Sequence, residues 1–165
     1  MSENNKIKQL ENKVELLSRI VLENDFCQKE LCVMALKNGW SADIPDKITA
    51  LMQKFSEKQT FKCREFETAF DEIGDNLSNS IGSVIDCFYR CNVFIRVLFI
   101  YLESYFKEKK LNPQTTFCPP YDTIYNDLKY RYSSNSSLNP YYVTPYPHYS
   151  GDRYAMKKKN QSLQD

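Results

Sequence analysis

A chain of 165 residues is the size of one domain with an appendage, so one core is expected. Its 22 basic and 21 acidic residues nearly cancel, which excludes a bulk attraction to nucleic acid or to an anionic membrane and leaves such contacts to local patches. The longest apolar run, Val93 to Leu102, is interrupted by Arg96 and is about half of the roughly 20 residues a spanning helix requires, so no membrane segment is expected.

The opening stretch, MSENNKIKQLENKVELL, is polar and lacks the basic-then-apolar pattern of a secretory signal, which predicts a cytoplasmic protein. Cys27, Cys32, Cys63, Cys87, Cys91 and Cys118 are then expected to be thiols packed as small hydrophobes.

In chain order, Ile7, Leu10, Val14, Leu17 and Val21 alternate steps of three and four, the a/d pattern of a helix that pairs with another helix. Leu16 and Ile20 broaden the stripe, and that width favours packing into a bundle over a free two-stranded coiled coil. A modest oligomer through this helix stays open. A second helix is expected from Phe26 to Lys37, ending at Asn38-Gly39, with Trp40 folding back on the last turn near Ala35. Asp43 then reads as an N-cap with Pro45 in the first turn, and Ile44, Ile48, Leu51, Met52 and Phe55 give a third helix to about Lys58. A fourth, from Lys62 to Asn76, carries Phe66, Ala69, Phe70 and Ile73. Ser78-Asn79-Ser80 offers capping side chains for the element that follows.

That element, Ile81 to Lys110, is the centre of the expected fold, with a possible break near Cys91-Asn92. On its second half Arg96, Glu103, Lys107 and Lys110 share one narrow stripe, while the residues from Phe94 to Phe106 are otherwise apolar nearly all round. A helix of this kind is buried on several sides. The short helices before it leave part of the surface uncovered, so Phe99 and Leu102 are expected to meet a second subunit, a partner or the tail.

After Lys110 the composition changes. Asn112-Pro113 and Pro119-Pro120 close the helical region, and nine of the 12 tyrosines lie beyond residue 120. The expected organisation is a helical domain at 1–110, a connecting segment at 111–132 with a short helix near 123–130, and a tail at 133–165. The tail is rich in Tyr, Pro, Ser and Asn, shows no period of 2 or 3.6, and reads as disordered.

The strings KIKQLENKVELLSRIV at 6–21, ALKNGWS at 35–41 and CFYRCNVFIRVLFIYLES at 87–104 resemble the YhaI-like family, small all-helical proteins of Bacillus and relatives. The likeness covers residues 6–106. It implies a helical fold and self-association, and it carries over no functional residues.

Catalytic chemistry has little to stand on. The single histidine, His148, sits in the tail, and there is no P-loop, G-x-G-x-x-G or H-E-x-x-H. Glu65, Glu67, Asp71, Glu72 and Asp75 read as a solvated helix face rather than a metal site. Cys87 and Cys91 share a helix face, where two thiols can join others in space, whereas Cys27 and Cys32 do not have C-x-x-C spacing. A disulfide between i,i+4 helical cysteines is too long to be unstrained. In the tail, Tyr141, Tyr142, Tyr146, Tyr149 and Tyr154 alternate with prolines and precede Lys157, Lys158 and Lys159. Such rings and cations can anchor a protein interface or stack on single-stranded bases.

The expectation is therefore an all-α, compact bundle of five to six helices around a central apolar helix. It has no catalytic, cofactor or metal residues and works as a non-enzymatic protein-interaction module, a small regulator or inhibitor that binds a partner or itself. The alternatives are a nucleic-acid-binding accessory protein using the tail, and a thiol-based metal or redox sensor.

Overall fold

The computed structural model describes residues 2–74 and 77–134. Among them the chain forms seven α-helices and no β-strand: α1 (Glu3–Leu22), α2 (Phe26–Asn38), α3 (Ile44–Ser56), α4 (Cys63–Asp71), α5 (Ile81–Cys91), α6 (Ile95–Glu108) and α7 (Tyr121–Ser134). A 3-10 turn, Leu77–Ser80, leads into α5. The tail residues Tyr141, Tyr142, Tyr146, Tyr149, Tyr154, Lys157, Lys158 and Lys159 lie outside the described residues, as does His148.

The apolar helix expected at the centre is there, as α6. It buries Val97, Leu98, Phe99, Ile100, Tyr101, Leu102 and Phe106 against α3, α4, α5 and α7. The expected break before it is also present. Asn92 takes the left-handed conformation that asparagine tolerates at a helix end, and Val93 N–H returns to Phe88 O at 3.1 Å. Phe94 is left-handed as well, with φ of 54°. That conformation costs a side-chain-bearing residue about 1–2 kcal/mol. Burying the Phe94 ring, edge-on to Phe88 at 5.2 Å, gains about as much or more, roughly 1.5–3 kcal/mol.

The polar stripe of α6 does two things. Glu103, Lys107 and Lys110 face solvent. Arg96 instead reaches across to the end of α3 and donates to the carbonyls of Ser56, Lys58 and Gln59 at 3.3, 2.8 and 3.2 Å. These are acceptors that a helix C-terminus leaves without intrahelical partners. Arg96→Leu should cost about 3 kcal/mol, the range of charge-assisted hydrogen bonds lost from a part-buried site. Urea unfolding would register it as a lower midpoint with an unchanged slope. In the same way α6 caps α4, because Cys63 N–H donates to Ser104 Oγ at 2.8 Å and Glu108 Oε1 at 3.2 Å.

Several local expectations are corrected. Asp43 does not cap α3 through its side chain, which is engaged by Ser41 Oγ and Lys47 Nζ. Ser80 makes no side-chain cap to α5, since Leu77–Ser80 closes as a 3-10 turn and Asp71 accepts from Ser78 N–H. Helix α4 stops at Asp71, short of Asn76. The Gly39-Trp40 end of α2 is as expected, with Gly39 left-handed and Trp40 N–H bonded to Ala35 O at 2.9 Å. The indole of Trp40 packs between the main core and a smaller cluster of Leu16, Cys32, Ala35 and Ala42.

The largest departures concern the two ends of the described chain. Helix α7 is longer than the short segment expected near 123–130, and its Ile124, Tyr125 and Leu128 are part of the main core. Tyr125 stacks on Phe99 at 5.7 Å and tilts against Phe106 at 5.3 Å. Phe99 and Leu102 are thus covered within the chain, and Leu102 is 0% exposed. They are core residues rather than an interaction surface. At the other end, α1 does not bury its a/d stripe at all.

Candidate functional site

Helix α1 packs on α2 through Leu16, with Ile20 half-buried beside it. Arg19 fixes the same face to the start of α3 by donating to Ala42 O at 2.7 Å and pairing with Asp46 at 2.6 Å. At about 100° per residue, Asn12, Leu16, Arg19, Ile20 and Glu23 form one face, and Ile7, Leu10, Val14, Leu17 and Val21 form the opposite one. All five of the latter are exposed, from 49% at Leu17 to 77% at Val21. Leu22 and Phe26 add further exposed apolar surface where α1 meets α2. The expectation that the broad stripe packs into the bundle is overturned for a geometric reason. The globule takes the Leu16/Ile20 edge, and the a/d seam is left pointing outward.

The seam has a definite register. With Ile7 at a, the a positions are Ile7, Val14 and Val21 and the d positions are Leu10 and Leu17. The flanking g positions hold Lys6, Lys13 and Ile20, the last half-buried against the globule, and the e positions hold Glu11 and Ser18. β-Branched residues at a with leucine at d favour two parallel strands, and e/g charges set orientation.

A second constellation lies inside. Cys27, in the first turn of α2, meets Cys87 and Cys91, one turn apart on α5, with all three sulfurs within 4.8 Å of one another. Cys27 and Cys87 are buried and Cys91 is half-buried. The positions are set locally: Asp25 caps α2 by accepting from Gln28 N–H at 3.0 Å, and Asn92 ends α5 just beyond Cys91. Hydrogen bonds to Cys87 and Cys91, then burial, push the Cys27 thiol far up. The hydrogen bond with Cys27 pulls Cys87 down, but the one with Cys91 and burial outweigh it, and Cys87 is pushed up to about 12. These are protonated thiols at neutral pH. Cys32 faces the other way, into the α1–α2 cluster, where burial raises it despite the nearby Arg19. None of the six cysteines is in a disulfide.

Three of the carboxylates on α4 are used structurally. Glu67 accepts from Tyr101 Oη at 3.0 Å, Glu65 pairs with Lys58, and Asp71 accepts from Ser78. Asp75 lies outside the described residues. The surface cleft between α3 and α4, about 450 Å³, is open and lined by Lys54, Lys58, Lys62, Arg64, Glu65 and Glu72 among others.

The α1 repeat and the Cys87/Cys91 pair are visible in the sequence, whereas Cys27 as their partner is not. No spacing signal could have supplied it, because 27 and 87 meet only through the packing of α2 on α5. No described helix is long and apolar enough to cross a membrane. The chain matches no family model, no curated protein and no solved structure.

Proposed function

We propose that the protein is a non-enzymatic, cytoplasmic protein-interaction module that dimerises through α1 as a short parallel coiled coil. The observation that carries this reading is the solvent-exposed a/d seam, five apolar residues in heptad register on the side of α1 away from the globule. The occupant is a second copy of the chain. In a parallel pair, the g residue of one helix faces the e residue of the next heptad on its partner, so Lys6 meets Glu11 twice by symmetry. In an antiparallel pair, g faces g and e faces e, so Lys6 and Lys13 meet like charges and Glu11 meets no lysine. The side of α1 that meets the globule centres near position f, away from the seam, which leaves the a and d residues open to a second copy. The short seam sets a reversible, concentration-dependent dimer.

Sedimentation equilibrium tests it. Leu10→Glu/Leu17→Glu should weaken dimerisation at least about 100-fold, the equivalent of about 2.8 kcal/mol. Helical content and melting of the globule should change little, because substitutions at exposed positions cost within about 0.5 kcal/mol each. Lys6→Glu should weaken the dimer and Lys6→Glu/Glu11→Lys should restore it. A wild-type chain that stays monomeric at high concentration, or a charge swap that fails to restore association, would sink the reading.

A further inference from the structure

We propose that Cys27, Cys87 and Cys91 form a three-sulfur site for a trivalent thiophilic ion of the arsenite class. This site is separate from the α1 seam and does not depend on it. The donors are three cysteines on two packed helices, with sulfurs within 4.8 Å of one another, and among the described residues no imidazole or carboxylate joins them. An all-sulfur donor set selects soft ions. Three donors rather than four disfavour a structural zinc ion, which takes four tetrahedral ligands.

Charge decides among the soft ions that remain. Three thiolates carry three negative charges, so a monovalent ion would leave two of them uncompensated and a divalent ion one. A trivalent ion leaves none. Cys27 and Cys87 lie in the main apolar core, and a net charge there is heavily penalised. The cation that acts on Cys87, Arg90, is already engaged by Asp86 at 2.9 Å and Glu30 at 3.4 Å, so it does not supply the missing charge. A neutral tris-thiolate complex fits these surroundings.

The exchange balances without an oxidant. Neutral arsenous acid, As(OH)3, reacts with three S–H groups. Three As–O bonds break and three As–S bonds form, each thiol proton leaves with a hydroxide, and three waters are released. Arsenic stays trivalent and the net charge does not change. Cys91, half-buried, is the sulfur at which entry begins.

The test uses the full-length reduced protein and arsenite alone. Native mass spectrometry should show one arsenic per chain with the loss of three hydrogens, and arsenic X-ray absorption should show three sulfur neighbours and no oxygen. Cys91→Ala, chosen because this position is half-buried, should bind at least tenfold more weakly and give a two-sulfur adduct that keeps one hydroxyl. Cys32→Ala should bind like wild type. Zinc alone should bind at least tenfold more weakly than arsenite. A two-sulfur adduct or an oxygen neighbour on arsenic in the wild-type chain, weakened binding in Cys32→Ala, unchanged affinity in Cys91→Ala, or zinc displacing arsenite would each overturn the proposal.

Discussion

Leu102→Asp should leave no folded protein at room temperature. Leu102 is fully buried in the middle of α6. Truncating a leucine in such a place costs about 2–5 kcal/mol. The substitution also buries a carboxylate without a partner, and the remaining cost is that of stripping its water or forcing its protonation. Together these approach or exceed the roughly 5–15 kcal/mol that hold a domain together. Far-UV circular dichroism should show lost helix and lost cooperative melting. The same chemistry at Leu10, which is 60% exposed, is the informative comparison. Leu10→Asp should keep the native spectrum and change association alone. A native-like Leu102→Asp protein would mean that α6 is not the core helix.

Ending the chain at residue 120 should be almost as severe. It removes Ile124, Tyr125 and Leu128, each buried in the main core, and uncovers the Phe99 and Phe106 rings against which Tyr125 packs. Three such side chains, at about 1.5–3 kcal/mol each, contribute roughly 5–9 kcal/mol, an upper figure because the unfolded chain is itself partly collapsed. The loss also includes the hydrogen bond from Tyr89 Oη to Asp127 Oδ2 at 2.6 Å. The truncated chain should aggregate or melt below room temperature, whereas the full-length chain should melt cooperatively above it. Differential scanning calorimetry of the two would decide, and equal melting would show that α7 is not part of the core.

The apolar α6 was legible because nine of its residues leave room for polar contact on one stripe alone, and a helix of that composition has one physical solution. The break at Asn92 was legible as well, because asparagine ends helices in the left-handed conformation. Helix α7 was hard to see because its core residues include Tyr125 and are set among Asp, Asn, Lys and Arg, so its apolar face is narrow. Its contribution comes from stacking on Phe99 and Phe106, which no local pattern encodes.

The same contrast holds at the candidate sites. Periodicity alone gave α1 its a/d stripe, but a stripe does not say which partner it meets. That was decided by Leu16 and Arg19, which fix the opposite face to α2 and α3 and turn Ile7, Leu10, Val14, Leu17 and Val21 to solvent. Helical geometry alone paired Cys87 with Cys91. The third sulfur came from Cys27, on an element distant in sequence.

By itself, then, the amino-acid sequence determined the helical class, the identity of the core helix and the periodic face of α1, because these follow from short-range spacing and from the cost of exposing apolar surface. The tertiary structure alone decided which apolar faces are covered and which thiols meet. Those outcomes depend on how whole helices pack against one another, and packing joins residues that no sequence interval relates.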